Sequence, residues 1–410
     1  MNLWVFNHYA ESPDGSATRT FELCRALTDR GHDVTIFASS FSHYRLREEH
    51  FTKGWQWSKV EVRDKVRFIW LRGFPYRTND WRRITNMIEY GALALFRSLA
   101  TQPKPDVIIG CSVHPCAALA GLAIARLTHR PFFVEMPDLW PQVLIDFGRI
   151  RSNSMQARVL RQIETVLFRA AERVIMLWRD TDGYVRSRGL DPDKILWIPH
   201  VIDPSHYPQL PECTEHGPPF IAMYVGSFVQ SMALDVVLDA AQLLWQHGRQ
   251  DIRVVMIGDG SDKKRLLSRA RNLHLSNLEI REPIPKSEVP GVLAEADCLI
   301  CCFKSSPVYQ YGLSMSKLCD YLMSGRPVVF AGESSYNPVA EAGAGIAVRG
   351  EDPEALARAI ETIVDLRCKV RRAMGQRGVA WVKNYHDVRL LADRLEAVLL
   401  RGRGREGGAQ

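Results

Sequence analysis

Residues 311–329 read YGLSMSKLCDYLMSGRPVV and predict, in this order, a glycine-bearing loop, a helix, a Gly-Arg-Pro stop and a buried strand. The N–H groups at a helix start lack intrahelical partners and the helix dipole favours negative charge there, so this loop is a potential anion site. We expect Asp320 about two turns into the helix, where its carboxylate would suit a sugar diol. The segment therefore indicates a site for a nucleotide-linked diphosphate, although an ordinary helix entering a sheet has the same pattern.

Short apolar strands alternate with amphipathic helices along nearly the whole chain. The predicted strands of the first half are Leu3–Phe6, Asp33–Ala38, Val66–Leu71, Val107–Gly110, Phe132–Glu135, Arg173–Leu177 and Ile195–Ile198. Those of the second half are Phe220–Val225, Arg253–Ile257, Leu278–Arg281, Cys298–Cys302, Pro327–Ala331 and Gly345–Ala347. Continuous apolar strands separated by helices are typical of parallel sheets covered on both faces. The predicted fold class is α/β, with two doubly wound, Rossmann-like domains facing a central cleft.

A proline-rich break separates the two sets of strands, with six prolines between Pro199 and Pro219. Because proline fixes φ and removes a hydrogen-bond donor, such a cluster is typical of a linker. The first domain is expected to span residues 1–203 and the second 204–383. A last helix, over about residues 384–402, is expected to pack back on the first domain, and the basic residues 403–410 to form a disordered tail.

The composition is that of a soluble globular protein, since 46% of the 410 residues are apolar and 24% are charged. No apolar run reaches the roughly 18 residues of a membrane span, and the N-terminus lacks the pattern of a signal peptide. Nine scattered cysteines indicate a reducing compartment. The cysteines of the run 298–303 have no second Cys/His pair nearby, so no metal site is expected. These features favour a cytoplasmic protein.

The formal net charge of +7 is unevenly spread, because residues 63–83 carry seven arginines and lysines among several aromatic residues. Such a patch can bind nucleic acid or an anionic membrane surface. No helix-turn-helix, zinc-finger or RNA-binding signature is present, so the sequence favours the cytoplasmic membrane surface and not nucleic acid. Residues 80–96 predict an apolar-faced helix with basic residues at its start, which could dock on a membrane or simply pack against the first sheet.

Glycine-bearing loops follow several predicted strands. Gly15 follows the first strand without a G-x-G-x-x-G fingerprint, which disfavours a dinucleotide site. Gly226-Ser227 and Gly258 follow the first two strands of the second domain. Such loops often need glycine only for a positive φ. However, parallel strands end at one edge of a sheet, so these loops and the 311–320 segment are expected to lie at matching edges.

Several motifs in combination resemble the GT-B glycosyltransferases of family 4, and most closely the subgroup that builds bacterial O-antigen and other surface polysaccharides. In the second half they are residues 311–329, Val255-Met-Ile-Gly-Asp-Gly-Ser261 and Ile284-Pro-Lys-Ser-Glu-Val-Pro290. In the first half they are Arg30-Gly-His-Asp-Val-Thr35, Ser112-Val-His-Pro115 and Glu135-Met-Pro-Asp-Leu-Trp-Pro141. The likeness runs from about residue 3 to about residue 380.

The resemblance implies a nucleotide-sugar donor held by the second domain, with uridine favoured as the base by family tendency. Asp320 stands where the family keeps the acidic residue that grips the ribose, and Lys317 is the expected cation for the diphosphate. The remaining expected donor-binding residues are Gly226, Ser227, Gly258, Ile284, Lys286, Val289, Tyr311, Gly312, Leu313, Ser314, Met315 and Ser316. Within this set the 284–289 segment would frame the base, and Tyr311 and Gly312 would lie against the sugar.

In the first domain, the resemblance implies that Gly15 approaches the phosphates and that His114 lines the acceptor pocket. Asp138 is the expected residue to orient or deprotonate the acceptor hydroxyl. The implied reaction is metal-independent transfer with retention of the anomeric configuration, onto a glycan or a lipid-linked oligosaccharide. Helix N-termini and Lys317 would stabilise the departing diphosphate without a divalent ion or other cofactor.

The chain also departs from the family pattern. Many relatives carry two glutamates eight positions apart, and the first would fall on Gly312. Many also carry an arginine and a lysine soon after the Gly226 position, where this chain has no cation through Asp235. Two alternatives therefore stay open: a nucleotide-sugar 2-epimerase of the same fold, and a non-catalytic protein that binds a nucleotide sugar.

Overall fold

The computed structural model describes residues 1–15, 17–52, 54–78, 80–208 and 219–404. The chain divides into two compact units: unit 1 comprises Met1–Val201 and Val388–Gln410, and unit 2 comprises Ile202–Asp387. The chain thus passes between units after residues 201 and 387, where the sequence predicts 203 and 383. The second difference arises because one helix, Cys368–Tyr385, continues through the predicted boundary. Residues 209–218 of the predicted linker lie outside the described residues.

Unit 1 is built on an eight-stranded sheet and a separate pair of short strands. Its strands are β1 (Asn2–Phe6), β2 (Asp33–Ser39), β3 (Phe41–Ser42), β4 (Arg47–Glu48), β5 (Ser58–Arg63), β6 (Val66–Leu71), β7 (Val107–Cys111), β8 (Phe132–Met136), β9 (Val174–Met176) and β10 (Ile195–Trp197). The strand order is β10-β9-β8-β7-β1-β2-β6-β5, and β3 and β4 form a separate pair. Only β5 runs antiparallel to its neighbour within this sheet.

The helices of unit 1 are α1 (Arg19–Asp29), α2 (Trp81–Leu99), α3 (Pro115–Thr128), α4 (Gln142–Asp146), α5 (Met155–Ala170) and α6 (Asp182–Ser187). The C-terminal helix, Val388–Gly404, also belongs to this unit and packs against α1. Leu391, Leu395 and Leu399 of that helix are buried in one core with Phe21 and Leu27 of α1. Arg403 and Gly404 lie in this helix instead of the predicted tail, and residues 405–410 lie outside the described residues.

Unit 2 is built on a six-stranded parallel sheet, in the order β13-β12-β11-β14-β15-β16. Its strands are β11 (Phe220–Val225), β12 (Ile252–Ile257), β13 (Leu278–Arg281), β14 (Cys298–Cys302), β15 (Val328–Ala331) and β16 (Gly345–Val348). Its helices are α7 (Asp235–Gln246), α8 (Lys263–Leu273), α9 (Val289–Ala294), α10 (Ser316–Met323), α11 (Pro338–Ala342), α12 (Pro353–Asp365) and α13 (Cys368–Tyr385).

The predicted α/β class and both Rossmann-like sheets are confirmed. Every predicted strand is present, with each end within one residue of its predicted position. The sequence analysis missed β5, because Ser-Lys-Val-Glu-Val-Arg has no continuous apolar run and the strand lies half-exposed at the sheet edge.

Candidate functional site

Both sheets reverse their strand order beside their first strand. In unit 1, β1 lies between β2 and β7, and in unit 2, β11 lies between β12 and β14. Ligands of open α/β sheets bind beyond the carboxyl ends of the strands at such a reversal. The residues that follow β1 and β7, and those that follow β11 and β14, are therefore the positions where each unit would bind a ligand.

In unit 2, the loops after β11 and β12 are held together by their backbones. Gly226 N–H donates to Ile257 O at 2.9 Å, and Phe228 N–H donates to Asp259 O at 2.7 Å. Gly258 has a φ of +157°, and a Cβ atom there would lie 1.9 Å from Gly226 O. Gly258 therefore allows the two loops to pack together, which is a structural role. Ser227 is exposed, and its carbonyl accepts a hydrogen bond from the Tyr224 hydroxyl at 2.8 Å.

Lys317 points from the first turn of α10 toward these loops. Its Nζ atom donates to the Tyr224 hydroxyl at 2.8 Å and lies 4.6 Å from the centre of that ring. A Cβ atom built on Gly226 would lie only 3.2 Å from the same Nζ. Within the described part of the chain, no carboxylate lies within ion-pair distance of Lys317. Burial lowers the pKa of this ammonium, as expected for a charge without a counter-ion.

The loop that leads into α10 is shaped by Gly312, which has a φ of +99° and follows a 3-10 turn over Pro307–Tyr311. Leu313 is buried, Tyr311, Ser314 and Met315 are half-buried, and Ser316 is exposed. No side chain caps the N-terminus of α10, and Leu318 N–H donates to Met315 O at 3.2 Å. The N–H groups of Ser316 and Lys317, in the first turn, are therefore the ones that a ligand could accept from.

Asp320 is the fifth residue of α10 and lies about one turn in, instead of the predicted two. It is 4% exposed. Both of its oxygens accept hydrogen bonds from Lys286 Nζ, at 2.6 and 2.5 Å, and Oδ1 also accepts one from the Tyr207 hydroxyl. The sequence analysis placed Lys286 beside the base, whereas the structure places it as the ion-pair partner of Asp320. Ile284 and Val289, which flank Lys286 in the chain, are both half-buried.

In unit 1, the residues after β1 and β7 meet in a cluster of imidazole and phenol rings. A hydrogen bond joins His8 Nδ1 and His114 Nε2, and His8 stacks on Tyr90 with ring centres 4.4 Å apart. His43 Nδ1 and the Tyr76 hydroxyl are 2.6 Å apart. We name this group, His8, His43, His114, Tyr76 and Tyr90, the histidine cluster.

Burial and neighbouring positive charge keep the histidine cluster neutral. Desolvation, aided by Arg83, lowers the pKa of His114 to about 3 and that of His43 to about 4. The pKa of His8 is also lowered well below its ordinary value, first by burial and then by His114. The Nδ1 atom of His114 is buried without a hydrogen-bond partner. The cluster can therefore exchange hydrogen bonds with a ligand while it stays uncharged at neutral pH.

Asp138 follows β8 and is half-buried. Desolvation raises its pKa from 3.8 to about 6, so the carboxylate is charged at neutral pH and more basic than usual. Desolvation, together with the charges of Glu11 and Asp138, raises the pKa of Tyr44, whose ring centre lies 5.4 Å from that of His43. Asp138 therefore lies within electrostatic range of a residue that borders the histidine cluster.

Gly15 lies in the loop after β1 and lines a pocket together with His8, Tyr9 and His43. A Cβ atom at Gly15 would lie 2.4 Å from the Cβ atom of Glu11. Glu11 is itself buried, and its carboxylate accepts from the Ser42 hydroxyl at 2.7 Å. The absence of a side chain at Gly15 therefore allows this loop to fold over Glu11, a role that needs no ligand.

The structure thus divides the predicted site residues between the units. Unit 2 brings Gly226, Ser227, Gly258 and Lys317 together, and it joins Asp320 to Lys286. Unit 1 holds Gly15, His114 and Asp138. The sequence analysis did not assign roles to Tyr207, Tyr224, His43 and Arg83. His114 was expected to line the acceptor pocket and no role was expected for His8, although histidines that follow adjacent parallel strands can meet.

Among the described residues, no group of three or more His, Cys, Asp or Glu side chains is arranged to hold a metal ion. No helix within these ranges has the length and apolar character needed to cross a bilayer.

Comparisons with known proteins agree with this architecture. Residues 14–200 match the family model of the glycosyl transferase 4-like domain, and residues 211–381 match that of the glycosyl transferases group 1. The probable glycosyltransferase WbjE of Pseudomonas aeruginosa is 21% identical over 243 residues, or 56% of this chain. The match spans 58% of the length of that relative.

Several solved structures have the same fold. Sucrose-phosphate synthase of Thermosynechococcus elongatus has a TM-score of 0.76 at 14% identity, with 98% of each chain covered. HepE of Anabaena, in complex with UDP and glucose, has a TM-score of 0.69 at 13% identity, covering 98% of this chain and 100% of HepE. WaaG, a glycosyltransferase involved in lipopolysaccharide biosynthesis, has a TM-score of 0.66 at 14% identity, covering 97% of this chain and 99% of WaaG. With both halves matched by glycosyltransferase family models, the chain belongs to the group 1 glycosyltransferases and has their GT-B fold.

Proposed function

We propose that this chain is a retaining, metal-independent glycosyltransferase that moves a sugar from a UDP-sugar onto a glycan or lipid-linked oligosaccharide in bacterial surface polysaccharide biosynthesis. The observation that carries the proposal is the unpaired ammonium of Lys317, beside the glycine loops and at the uncapped start of α10. A half-buried cation without a counter-ion is costly, so this arrangement favours an anionic ligand.

The donor diphosphate is assigned to this position. Its oxygens would accept hydrogen bonds from Lys317 and from the first N–H groups of α10, which also supplies the positive end of its dipole. In the reaction, the bond between the anomeric carbon and the phosphate oxygen breaks, and the electron pair leaves with the diphosphate. Donors fixed where this charge develops stabilise the transition state, so no divalent ion is needed in this mechanism.

Asp320 is assigned to the ribose hydroxyls of the donor. Its carboxylate is oriented by hydrogen bonds from Lys286 and Tyr207. The Lys286 side chain is 36% exposed, against 6% for that of Asp320, so Lys286 has room to withdraw when a diol takes its place. UDP is the favoured nucleotide because HepE, which shares the fold, binds UDP and UDP-glucose.

The acceptor is assigned to unit 1. Asp138 would accept a hydrogen bond from the attacking hydroxyl and then its proton, for which a pKa of about 6 is suited at neutral pH. The acceptor oxygen then bonds to the anomeric carbon on the face that the diphosphate leaves, so configuration is retained. The His114 Nδ1 atom, which has no hydrogen-bond partner, would exchange a further hydrogen bond with a sugar hydroxyl, as donor or acceptor according to its tautomer. A lipid-linked acceptor is favoured by the likeness to WaaG, which is involved in lipopolysaccharide biosynthesis.

The proposal is tested with the purified full-length chain and a panel of UDP-sugars. We expect UDP release that depends on added acceptor and continues in the presence of EDTA. Lys317→Met should abolish turnover, whereas Lys383→Met, at an exposed position on α13, should not. Isomerised donor without transfer would support the epimerase instead, and nucleotide binding without any turnover would support a non-catalytic protein.

A further inference from the structure

Helix α2 exposes a stripe of large apolar side chains. Trp81, Ile84, Ile88, Phe96 and Leu99 are 63%, 56%, 61%, 66% and 49% exposed. Their spacing of three, four, eight and three residues places them on one side of the helix. On its other side, α2 buries Asn86, Tyr90, Ala94 and Ser98 in unit 1. The helix thus exposes large apolar side chains to solvent, although its packed side is not more apolar than this exposed side.

Large apolar side chains are also exposed on the neighbouring helices. Helix α2 packs against α3, and α3 packs against α5. Leu127 of α3 is 62% exposed. Met155, Val159 and Val166 of α5 are also exposed, at 71%, 49% and 45%. We name these three helices the α2–α3–α5 layer.

The α2–α3–α5 layer is strongly basic. It contains seven arginines and no lysine, against two glutamates and no aspartate. Glu164 is buried, where it accepts a hydrogen bond from the Tyr184 hydroxyl, so it contributes little to the surface. Arg82, Arg126 and Arg158 are exposed. This layer therefore carries five of the seven net positive charges of the chain.

Helix α2 also connects this surface to the histidine cluster. Arg83 NH2 donates to the Tyr9 hydroxyl at 3.1 Å, and the Tyr90 ring stacks on His8. Ile84 is adjacent to Arg83 in the chain and Trp81 is two residues before it, and both side chains are exposed to solvent. A partner seated on the outer side of α2 would therefore contact the same helix that contacts the histidine cluster.

We propose that the α2–α3–α5 layer docks on an anionic phospholipid bilayer, with the exposed apolar stripe of α2 in the headgroup region and the arginines against the lipid phosphates. Apolar side chains on one face of a helix insert at the boundary between headgroups and acyl chains, and flanking arginines bind anionic headgroups. The biological reason rests on the proposed function, because a lipid-linked acceptor is available only at a membrane. Bilayer binding itself is independent of catalysis.

The test is co-sedimentation of the full chain with vesicles of phosphatidylethanolamine and phosphatidylglycerol, compared with pure phosphatidylcholine. We expect binding to the anionic vesicles that weakens with added salt. The double variant Ile84→Glu/Ile88→Glu should bind at least about tenfold less, and Phe96→Ser should also bind less. Val370→Glu on α13, an exposed apolar position of unit 2, is the matched control and should bind like the wild type.

Thermal unfolding and UDP titration of the same samples separate the possible failures. Equal unfolding midpoints and equal UDP affinity in wild type and double variant would show that only the surface has changed. Unchanged vesicle binding by the double variant would overturn the inference, as would self-association through α2 without lipid binding. Vesicle binding by a chain that binds no nucleotide would support the docking surface and contradict the proposed function.

Discussion

Asp138→Asn is expected to stabilise unit 1 at neutral pH while it abolishes most activity. Burial raises the pKa of Asp138 from 3.8 to about 6, so the charged carboxylate present at neutral pH makes the folded state less stable. One pKa unit corresponds to about 1.36 kcal/mol, which gives about 3 kcal/mol for the full shift. Because the side chain is only half-buried, we expect about 2 kcal/mol after solvent screening.

The sign of the pH dependence follows from the raised pKa. In the wild type, the cost of the buried charge is absent below the unfolded-state pKa of 3.8 and grows until the pH exceeds about 6. Asparagine does not titrate in this range. The difference in the free energy of unfolding between variant and wild type should therefore increase between about pH 4 and pH 6. Above pH 6 the variant should remain the more stable of the two. For a unit of this size, about 2 kcal/mol corresponds to roughly 4 °C in midpoint.

Urea and thermal unfolding of the full chain between about pH 4.5 and pH 8 measure this difference. Asp33→Asn, at an exposed position at the start of β2, is the matched control and should show little change. A difference between Asp138→Asn and wild type that does not vary with pH would refute the reasoning. The same variant should lose about 10²–10⁴ in transfer rate and keep its donor affinity, and full turnover would remove Asp138 from the acceptor role.

Three further predictions concern unit 2. Gly258→Ala should destabilise it by at least about 2 kcal/mol, because the new Cβ atom meets backbone 1.9 Å away. Gly291→Ala has open space around it and should be neutral in the same unfolding assay. Lys317→Met should lower UDP affinity at least about tenfold in calorimetry without loss of stability, because it removes a desolvated charge. Lys286→Met should destabilise the fold by about 3 kcal/mol, since it leaves Asp320 buried without its cation, and unchanged unfolding would contradict that ion pair.

Most strands could be predicted from the sequence because they are continuous apolar runs. Phe220–Val225, for example, is a continuous apolar run that ends at a glycine, and the structure has β11 over the same residues. Strand β5 could not be found in this way, because Ser-Lys-Val-Glu-Val-Arg has no continuous apolar run and half of its residues are exposed. The apolar run, and not β propensity, was the detectable signal.

Only those contacts of the site that follow from the adjacency of strands could be predicted from the sequence. The meeting of His8 and His114 follows from the adjacency of β1 and β7, and sequence reasoning could have found it. The Lys286–Asp320 pair joins residues 34 positions apart through side chains whose directions depend on the start of α10 and on the 3-10 turn over Lys286–Glu288. The sequence analysis placed Asp320 one turn too far into α10 and did not predict its pairing with Lys286.

Lys286 and Lys317 have complementary electrostatic roles in unit 2. Lys317 and Asp320 are three residues apart on α10, a spacing at which opposite charges can pair along a helix. They do not pair here, and Lys286 and Tyr207 contact the carboxylate instead. Lys317 faces Gly226 and Tyr224, with no carboxylate within ion-pair distance among the described residues. In the proposed mechanism, Lys286 orients Asp320 for the ribose, and the uncompensated charge of Lys317 provides the positive potential for the donor diphosphate. A chain without the usual arginine and lysine after Gly226 requires such a cation.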